Sequence, residues 1–300
     1  MNNFEFFHTT YLPKIAGCVD SSPMPGTDYI YEPKLDGIRC FLVARKGEVT
    51  LFSLKGVDIT SRFPEVAEEA EKIYARHSCI VLDGELVHMT DVYDVDFHAA
   101  SVRHGQQRSE AIALYRDIYP MTFVFFDVLQ SASKLIYKEA LIKRKKVLSK
   151  IPRGKFVQEI PYSLVREEMM NLTKETEGYI FKNKESSYGD RWGKRKNIKD
   201  ASVIVTSTLP GDHLEVGSIT INLLGSDGKL IPAGHISGTF NDSLSVKEYL
   251  ESSPKIPLVL DVQYLGWSMR RDGSVRLRDG TGKMIRYDKD PYECTLSQLT

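Results

Sequence analysis

The sequence predicts an α+β protein in two parts: antiparallel sheets with flanking helices over residues 1–200, then an all-β barrel over 201–300. Three observations carry this reading. The chain's 300 residues suit two domains of ordinary size. Up to Asp200, compact apolar strands are interleaved with stretches of helical periodicity. Beyond it come short strands and glycine turns broken by a single helix, the pattern of a small antiparallel barrel.

Taken in order, Tyr29 to Glu32 and Arg39 to Ala44 read as strands that bracket a Lys-Leu-Asp-Gly turn. Val49 to Ser53 follows across the Lys46-Gly47 turn. Phe63 to Arg76 repeats apolar residues on one face (Phe63, Val66, Ala67, Ala70, Ile73, Tyr74), which predicts an amphipathic helix entered through Ser61-Arg62-Phe63-Pro64. Ile80-Val81-Leu82 and Phe123 to Phe126 are apolar strands, each ending on an acidic residue. Helical spacing returns around Glu139 to Ile151 and Leu164 to Thr173. Asn197 to Ala201 is the expected hinge. After it, Val203 to Val205, Ser218 to Asn222, Lys229 to Pro232 and Pro257 to Val262 read as barrel strands, with a helix over Ser245 to Glu251.

Composition narrows the class. Every apolar run is short, so no segment is expected to span a bilayer. The start Met1-Asn2-Asn3-Phe4-Glu5 lacks a secretory signal pattern. Cys18, Cys40, Cys79 and Cys294 show no paired spacing, so reduced thiols and a cytoplasmic location are expected. Net charge is zero, yet basic residues cluster at Lys182 to Lys199, at Lys143-Arg144-Lys145-Lys146 and at Arg270, Arg271, Arg276 and Arg278. Such clusters are either solvated faces or surfaces that track a phosphate backbone.

A lysine beside an Asp-Gly turn is usually a surface lysine. Lys34, though, ends an apolar strand between Pro33 and Leu35, with Arg39 shortly after. A reference pKa of about 10.4 leaves roughly one such amine in a thousand neutral near pH 7.4. Partial burial and a nearby cation, Arg39 or a metal, would make it a better nucleophile. Attack by a lysine amine on phosphorus yields a phosphoramidate, a high-energy carrier of a nucleotide.

Lys34-Leu35-Asp36-Gly37-Ile38-Arg39 resembles the K-x-D-G-x-R motif of the covalent nucleotidyltransferases: ATP-dependent DNA ligases, RNA ligases and messenger-RNA capping enzymes. Further matches arrive in the family's order: Asp83-Gly84-Glu85, Phe123 to Asp127, Glu177-Gly178-Tyr179-Ile180-Phe181-Lys182, Trp192-Gly193-Lys194-Arg195-Lys196, and Arg286 to Pro291 followed by Cys294. The chain is similar to a minimal, virus- or bacterium-type ATP-dependent DNA ligase. That resemblance implies an ATP-grasp-like nucleotidyltransferase domain followed by an OB-fold domain.

It also implies roles. Lys34 carries AMP. Glu32 resembles the carboxylate that accepts from the adenine amine, and Phe126, which alone would be read as core, the ring that stacks on adenine. Arg39 and Glu85 would contact the ribose and hold the nick's 5′-phosphate. Glu85 and Glu177 are the expected metal carboxylates. Lys194 and Lys196, alternate residues of one strand, would neutralise the α-phosphate, and Lys182 would assist. Arg286, Asp288 and Lys289 resemble the set that orients the pyrophosphate leaving group. ATP and Mg2+ are the implied cofactors, with Mn2+ tolerated; the implied partner is nicked duplex DNA, bound by a monomer.

The pattern departs in two places. Many DNA ligases have Ser-Arg-x-Gly after the first motif, where this chain reads Ser53-Leu54-Lys55-Gly56; Lys55 is expected to cover part of the missing arginine's contact. Fewer than thirty residues precede the strand leading to Lys34, so no separate N-terminal DNA-binding domain is expected. The arginine-rich turn Trp267 to Gly273 is then the candidate DNA contact, with a solvated hairpin tip as the alternative. An RNA ligase commonly lacks the sixth motif, and a capping guanylyltransferase more often has threonine where Leu35 stands. A decayed binding module would have lost Lys34, Glu85, Glu177 or Lys194, all of which are present.

Overall fold

Tight turns and alternating apolar residues build the first part of the chain. The computed structural model describes residues 2–12, 17–24, 27–75, 77–91, 94–212, 214–252, 257–270 and 272–299. Arg76 and Arg271, which the sequence assigned to a helix end and a basic cluster, lie outside the described residues. The chain divides into two compact units, Met1–Lys196 and Asn197–Thr300.

The first unit runs α1 (Asn3–Thr10), β1 (Cys18–Asp20), β2 (Tyr29–Pro33), β3 (Ile38–Arg45), β4 (Glu48–Ser53), α2 (Pro64–Tyr74), β5 (Cys79–Val87), β6 (Met89–Asp91), β7 (Asp94–Val95), α3 (Phe97–Gly105), α4 (Ser109–Ile118), β8 (Thr122–Ser131), β9 (Lys134–Leu135), α5 (Leu141–Leu148), β10 (Val157–Glu159), α6 (Arg166–Leu172), β11 (Gly178–Asn183) and β12 (Trp192–Lys196). Two sheets dominate, one ordered β1-β12-β11-β2 and the other β10-β8-β5-β3-β4 with β9 on β8. They are mainly antiparallel as expected, but the edge pairs β1–β12 and β10–β8 are parallel.

Side-chain alternation gives each sheet two faces. On the larger sheet, Cys40, Leu42, Leu82, Phe123 and Phe125 pack with Val66, Ala70 and Tyr74 of α2. Its other face carries Phe41, Val43, Val81, Val124 and Phe126, which cluster with Phe7 of α1 and with Trp192 and Ile180 of the smaller sheet. The smaller sheet's far face, Tyr31, Tyr179 and Phe181, is covered by Met169 of α6. The predicted site residues of this unit therefore lie where the two sheets face one another.

Two expectations need correction. Asp83 and Asp127 do not end their strands: β5 continues to Val87 and β8 to Ser131, and both carboxylates are held internally by arginines. Helices α3 and α4 were not foreseen. Few of their residues are buried (Ala99, Ala100, Arg103 and Ile112), and a buried Arg103–Glu65 ion pair ties α3 to α2.

The second unit is β13 (Lys199–Leu209), β14 (Ser218–Leu224), β15 (Leu230–Ser237), α7 (Ser243–Glu251), β16 (Leu258–Tyr264), β17 (Gly266–Met269), β18 (Val275–Arg278) and β19 (Thr281–Arg286). Strands β13-β14-β15-β19-β16 close into a five-stranded barrel around Val203, Ile219, Ile221, Leu260 and Val262. Lys199 to Ala201, read from the sequence as hinge, are strand residues paired with Tyr264, Gln263 and Val262. No helix among the described residues is long and apolar enough to cross a membrane.

Candidate active site

Lys34 leaves the end of β2, and its backbone N–H donates to the Gly178 carbonyl at 2.9 Å. Its Nζ lies 2.7 Å from Glu177 Oε1. The sequence led us to expect a cation as the nearby influence on this amine; the close partner is a carboxylate. Gly178 makes the approach possible. Its φ is +129°, and a Cβ there would sit 2.1 Å from the Arg195 carbonyl oxygen. Only glycine fits between β2 and β12, so the residue before it, Glu177, is set against Lys34.

Arg39 of β3 stands directly opposite Glu85 of β5 in register. Its guanidinium instead reaches diagonally to Asp83, with Nε to Oδ1 at 3.1 Å and Nη2 to Oδ2 at 2.8 Å. The Tyr188 hydroxyl donates to the same Asp83 Oδ2 at 2.7 Å. Burial raises the Asp83 carboxyl, and Arg39 offsets that rise only in part. Glu85 is pushed up to about 8 by the protein enclosing it, which Arg39 and Lys34 counter and Asp83 and Glu177 reinforce. Asp83 and Tyr188 were missed as site residues. Asp83 could have been found in the Asp-Gly-Glu triplet, but nothing local marks Tyr188.

Glu32 is 1% exposed and meets two ammonium groups: Lys145 of α5 at Oε1, and Lys182 of β11 at Oε2, 2.7 Å away. Burial alone would raise its carboxyl; the two lysines outweigh it and hold the group below its ordinary range. Lys182 Nζ lies over the rings of Trp192 at 3.8 Å and Phe126 at 4.4 Å. Those rings meet edge to face, centroids 5.5 Å apart. Lys145 was not predicted. Its basic run read as solvated surface or a phosphate track, yet Arg144 and Lys145 are each 1% exposed and act as internal counter-charges.

Lys194 shares its side of β12 with Lys196, as alternation requires, and its Nζ lies 3.5 Å from Asp20 Oδ2. Leu54 and Lys55 form an exposed turn, closed by Gly56 at a φ of +77°. Arg286, Asp288 and Lys289 belong to the second unit. There Arg286 makes two 2.8 Å hydrogen bonds to Asp288 and another to Asp261, and Lys289 Nζ donates to Ser202 Oγ at 2.8 Å. Arg286 holds the Asp288 carboxyl down near about 2. The predicted residues thus fall into a group on the facing sheets and a separate group on the barrel.

The first group carries buried polar atoms that lack partners. Glu177 Oε2 and Trp192 Nε1 are buried without a hydrogen-bond partner, and Glu32 Oε1 and Lys182 Nζ have none beyond their ion pairs. Buried polar atoms are normally satisfied, so this concentration marks a site built for a polar ligand. Among the described residues no cluster of three or more acidic, histidine or cysteine side chains forms a metal cage. Magnesium does not need one, since one or two carboxylates plus substrate phosphates suffice.

Residues 14–199 match the family of the ATP dependent DNA ligase domain. The chain belongs to this family. It is 28% identical over 313 residues to the bifunctional non-homologous end joining protein LigD of Bacillus subtilis, covering 93% of this chain and 50% of that protein. It is 24% identical over 319 residues to a DNA ligase of Methanothrix thermoacetophila, covering 96% and 57% respectively. The chain thus spans about half the length of these relatives. The ligase domain of M. tuberculosis LigD shares the fold, with a TM-score of 0.54 at 22% identity over 95% of this chain and 99% of that one. The mixed architecture of sheets with flanking helices is that of ligase nucleotidyltransferase domains.

Proposed function

We propose that this chain is an ATP-dependent DNA ligase that seals nicks bearing a 5′-phosphate and a 3′-hydroxyl. The observation that carries the proposal is the Lys34–Glu177 contact of 2.7 Å. It joins the first and fourth motifs on adjacent strands, among buried polar atoms that lack partners.

In the proposed reaction Lys34 is released from Glu177, gives up a proton and attacks the α-phosphorus of ATP. An N–P bond forms and the bond to pyrophosphate breaks. AMP then passes to the 5′-phosphate of the nick, and the 3′-hydroxyl displaces it to close the backbone. Lys194 and Lys196 offset charge on the α-phosphate, and Arg39 holds ribose or phosphate. Arg286, Asp288 and Lys289 serve the pyrophosphate. Bound magnesium would be held by Glu177 and Glu85 and would neutralise charge on the phosphates. Protein groups mainly position reactants, as in other phosphoryl transfers.

We assign the closed five-stranded barrel to the OB class and give it a share of the DNA contact. Arg270 and Arg276, with Thr220 and His235, line a cavity of about 700 Å³ on this unit, beside the β17–β18 hairpin. Reversing the charge of Arg270 and Arg276 should weaken nick binding and leave Lys34 labelling intact; unchanged affinity removes the hairpin from the DNA interface.

The deciding experiment incubates the protein and Lys34→Ala with labelled ATP or GTP and magnesium, then supplies nicked DNA or nicked RNA. The expected result is an ATP-derived adduct that requires Lys34 and is discharged by nicked DNA. An adduct from GTP alone, or one indifferent to Lys34, overturns the proposal.

A further inference from the structure

Consecutive residues of α5 grip consecutive residues of β8. Arg144 pairs with both oxygens of Asp127, at 2.8 and 3.0 Å. Lys145 Nζ donates to the Phe126 carbonyl at 2.8 Å and is also paired with Glu32 Oε1. One ammonium therefore ties the carboxylate of β2 to the strand that carries the Phe126 ring. Lys182 meets the other Glu32 oxygen, and Glu32 Oε1 and Lys182 Nζ have no hydrogen-bond partner beyond these ion pairs.

We propose that Lys145 is a specificity-determining positioning residue: it fixes Glu32 beside Phe126 so that the site selects adenine over guanine. This rests on the reading of the chain as a lysyl-nucleotidyl ligase. Glu32 and Lys182 present an acceptor beside a donor. Adenine's amino group and ring nitrogen match that order, whereas guanine's carbonyl and ring N–H invert it and bring like against like. Discrimination of this kind is large because a wrong base leaves buried polar groups unpaired. Lys145 sustains it in two ways. Its charge helps keep an enclosed carboxylate ionised, and therefore acceptor-only. Its bond to the Phe126 carbonyl holds that acceptor in place relative to the ring.

The test measures equilibrium binding of ATP and GTP with magnesium in a Lys34→Ala background, where no covalent step intervenes. Adding K145M should cost on the order of tenfold or more in ATP affinity and bring the ATP-to-GTP ratio toward one. K145R, which can still donate to both the carboxylate and the carbonyl, should restore most of the ratio. With Lys34 present, K145M should raise KM for ATP more than it lowers kcat of adduct formation. A merely structural Lys145 would lower the melting temperature and weaken both nucleotides alike. E32Q is the second arm, because it removes the ionised acceptor without relying on K145M to fold; its ratio should fall as well. An unchanged ratio in either variant that folds overturns the proposal. Absence of any adduct on the unmutated protein would instead sink the ligase reading while leaving the binding ratios interpretable.

Discussion

Glu85 sets a pH dependence that its neighbours make predictable. Enclosure pushes its carboxyl up to about 8, and Arg39 and Lys34 recover only part of the shift. An unfolded glutamate titrates near about 4.3. Between those values the folded state binds more protons than the unfolded one, so this group's contribution to stability falls as pH rises through the window. It is most favourable below the mid-fours and least favourable above 8. Glu85→Gln should therefore gain stability relative to the unmutated protein as pH rises from 5 to 8. Thermal melts of both proteins without divalent metal would check it; a constant difference across the range excludes an elevated Glu85. Glu85 was legible in the Asp-Gly-Glu triplet. Asp83, two residues earlier, was not assigned a role; strand register sets Glu85, not Asp83, opposite Arg39. Only the direction of the guanidinium reveals the diagonal Arg39–Asp83 pair, and side-chain direction across a sheet is tertiary information.

At the scale of elements, periodicity exposed what was amphipathic and concealed what was buried and charged. Helix α2 was legible because Val66, Ala70 and Tyr74 recur on one face. In α5, Arg144 and Lys145 looked like solvated surface, since a charged residue's burial depends on a partner far along the chain, here Asp127 and Glu32. The Arg144–Asp127 pair is inaccessible on both sides, so removing one member strands the other. Arg144→Met should destabilise by about 3–5 kcal/mol, and pairing it with Asp127→Asn should recover part of that loss. Denaturant titration of the two variants would show it; a loss under about 1 kcal/mol, the scale of a surface pair, would show that the pair does not brace α5 on β8. A glycine inside a strand acts at the same scale. A Cβ on Gly193 would lie 2.0 Å from the Phe181 ring, so Gly193→Ala should force β11 and β12 apart, costing about 1–3 kcal/mol. An unchanged melting temperature would contradict that packing.

Across the whole molecule, the sequence changes to short strands after Asp200, whereas the two compact units divide at Lys196 and Asn197. Lys199 and Asp200 are polar and read as linker, yet their backbones pair with β16, which side-chain character does not show. The division at Lys196 and Asn197 leaves the sixth motif wholly on the barrel and the other five on the facing sheets. Under the proposed function, that separation would assign the two groups to different steps of the reaction. If Arg286 serves only the pyrophosphate, Arg286→Ala should slow formation of the lysyl adduct by on the order of tenfold to a hundredfold, because it removes an interaction made in that step alone. Sealing of a nick already carrying 5′-AMP releases no pyrophosphate and should stay close to normal. The melting temperature should change little, because the Arg286 contacts with Asp288 and Asp261 are partly exposed and such pairs add little to stability. Single-turnover rates for adduct formation, set beside rates for the pre-adenylated nick, separate the two steps. Equal losses in both would place Arg286 on the DNA, and no loss in either would remove it from the site.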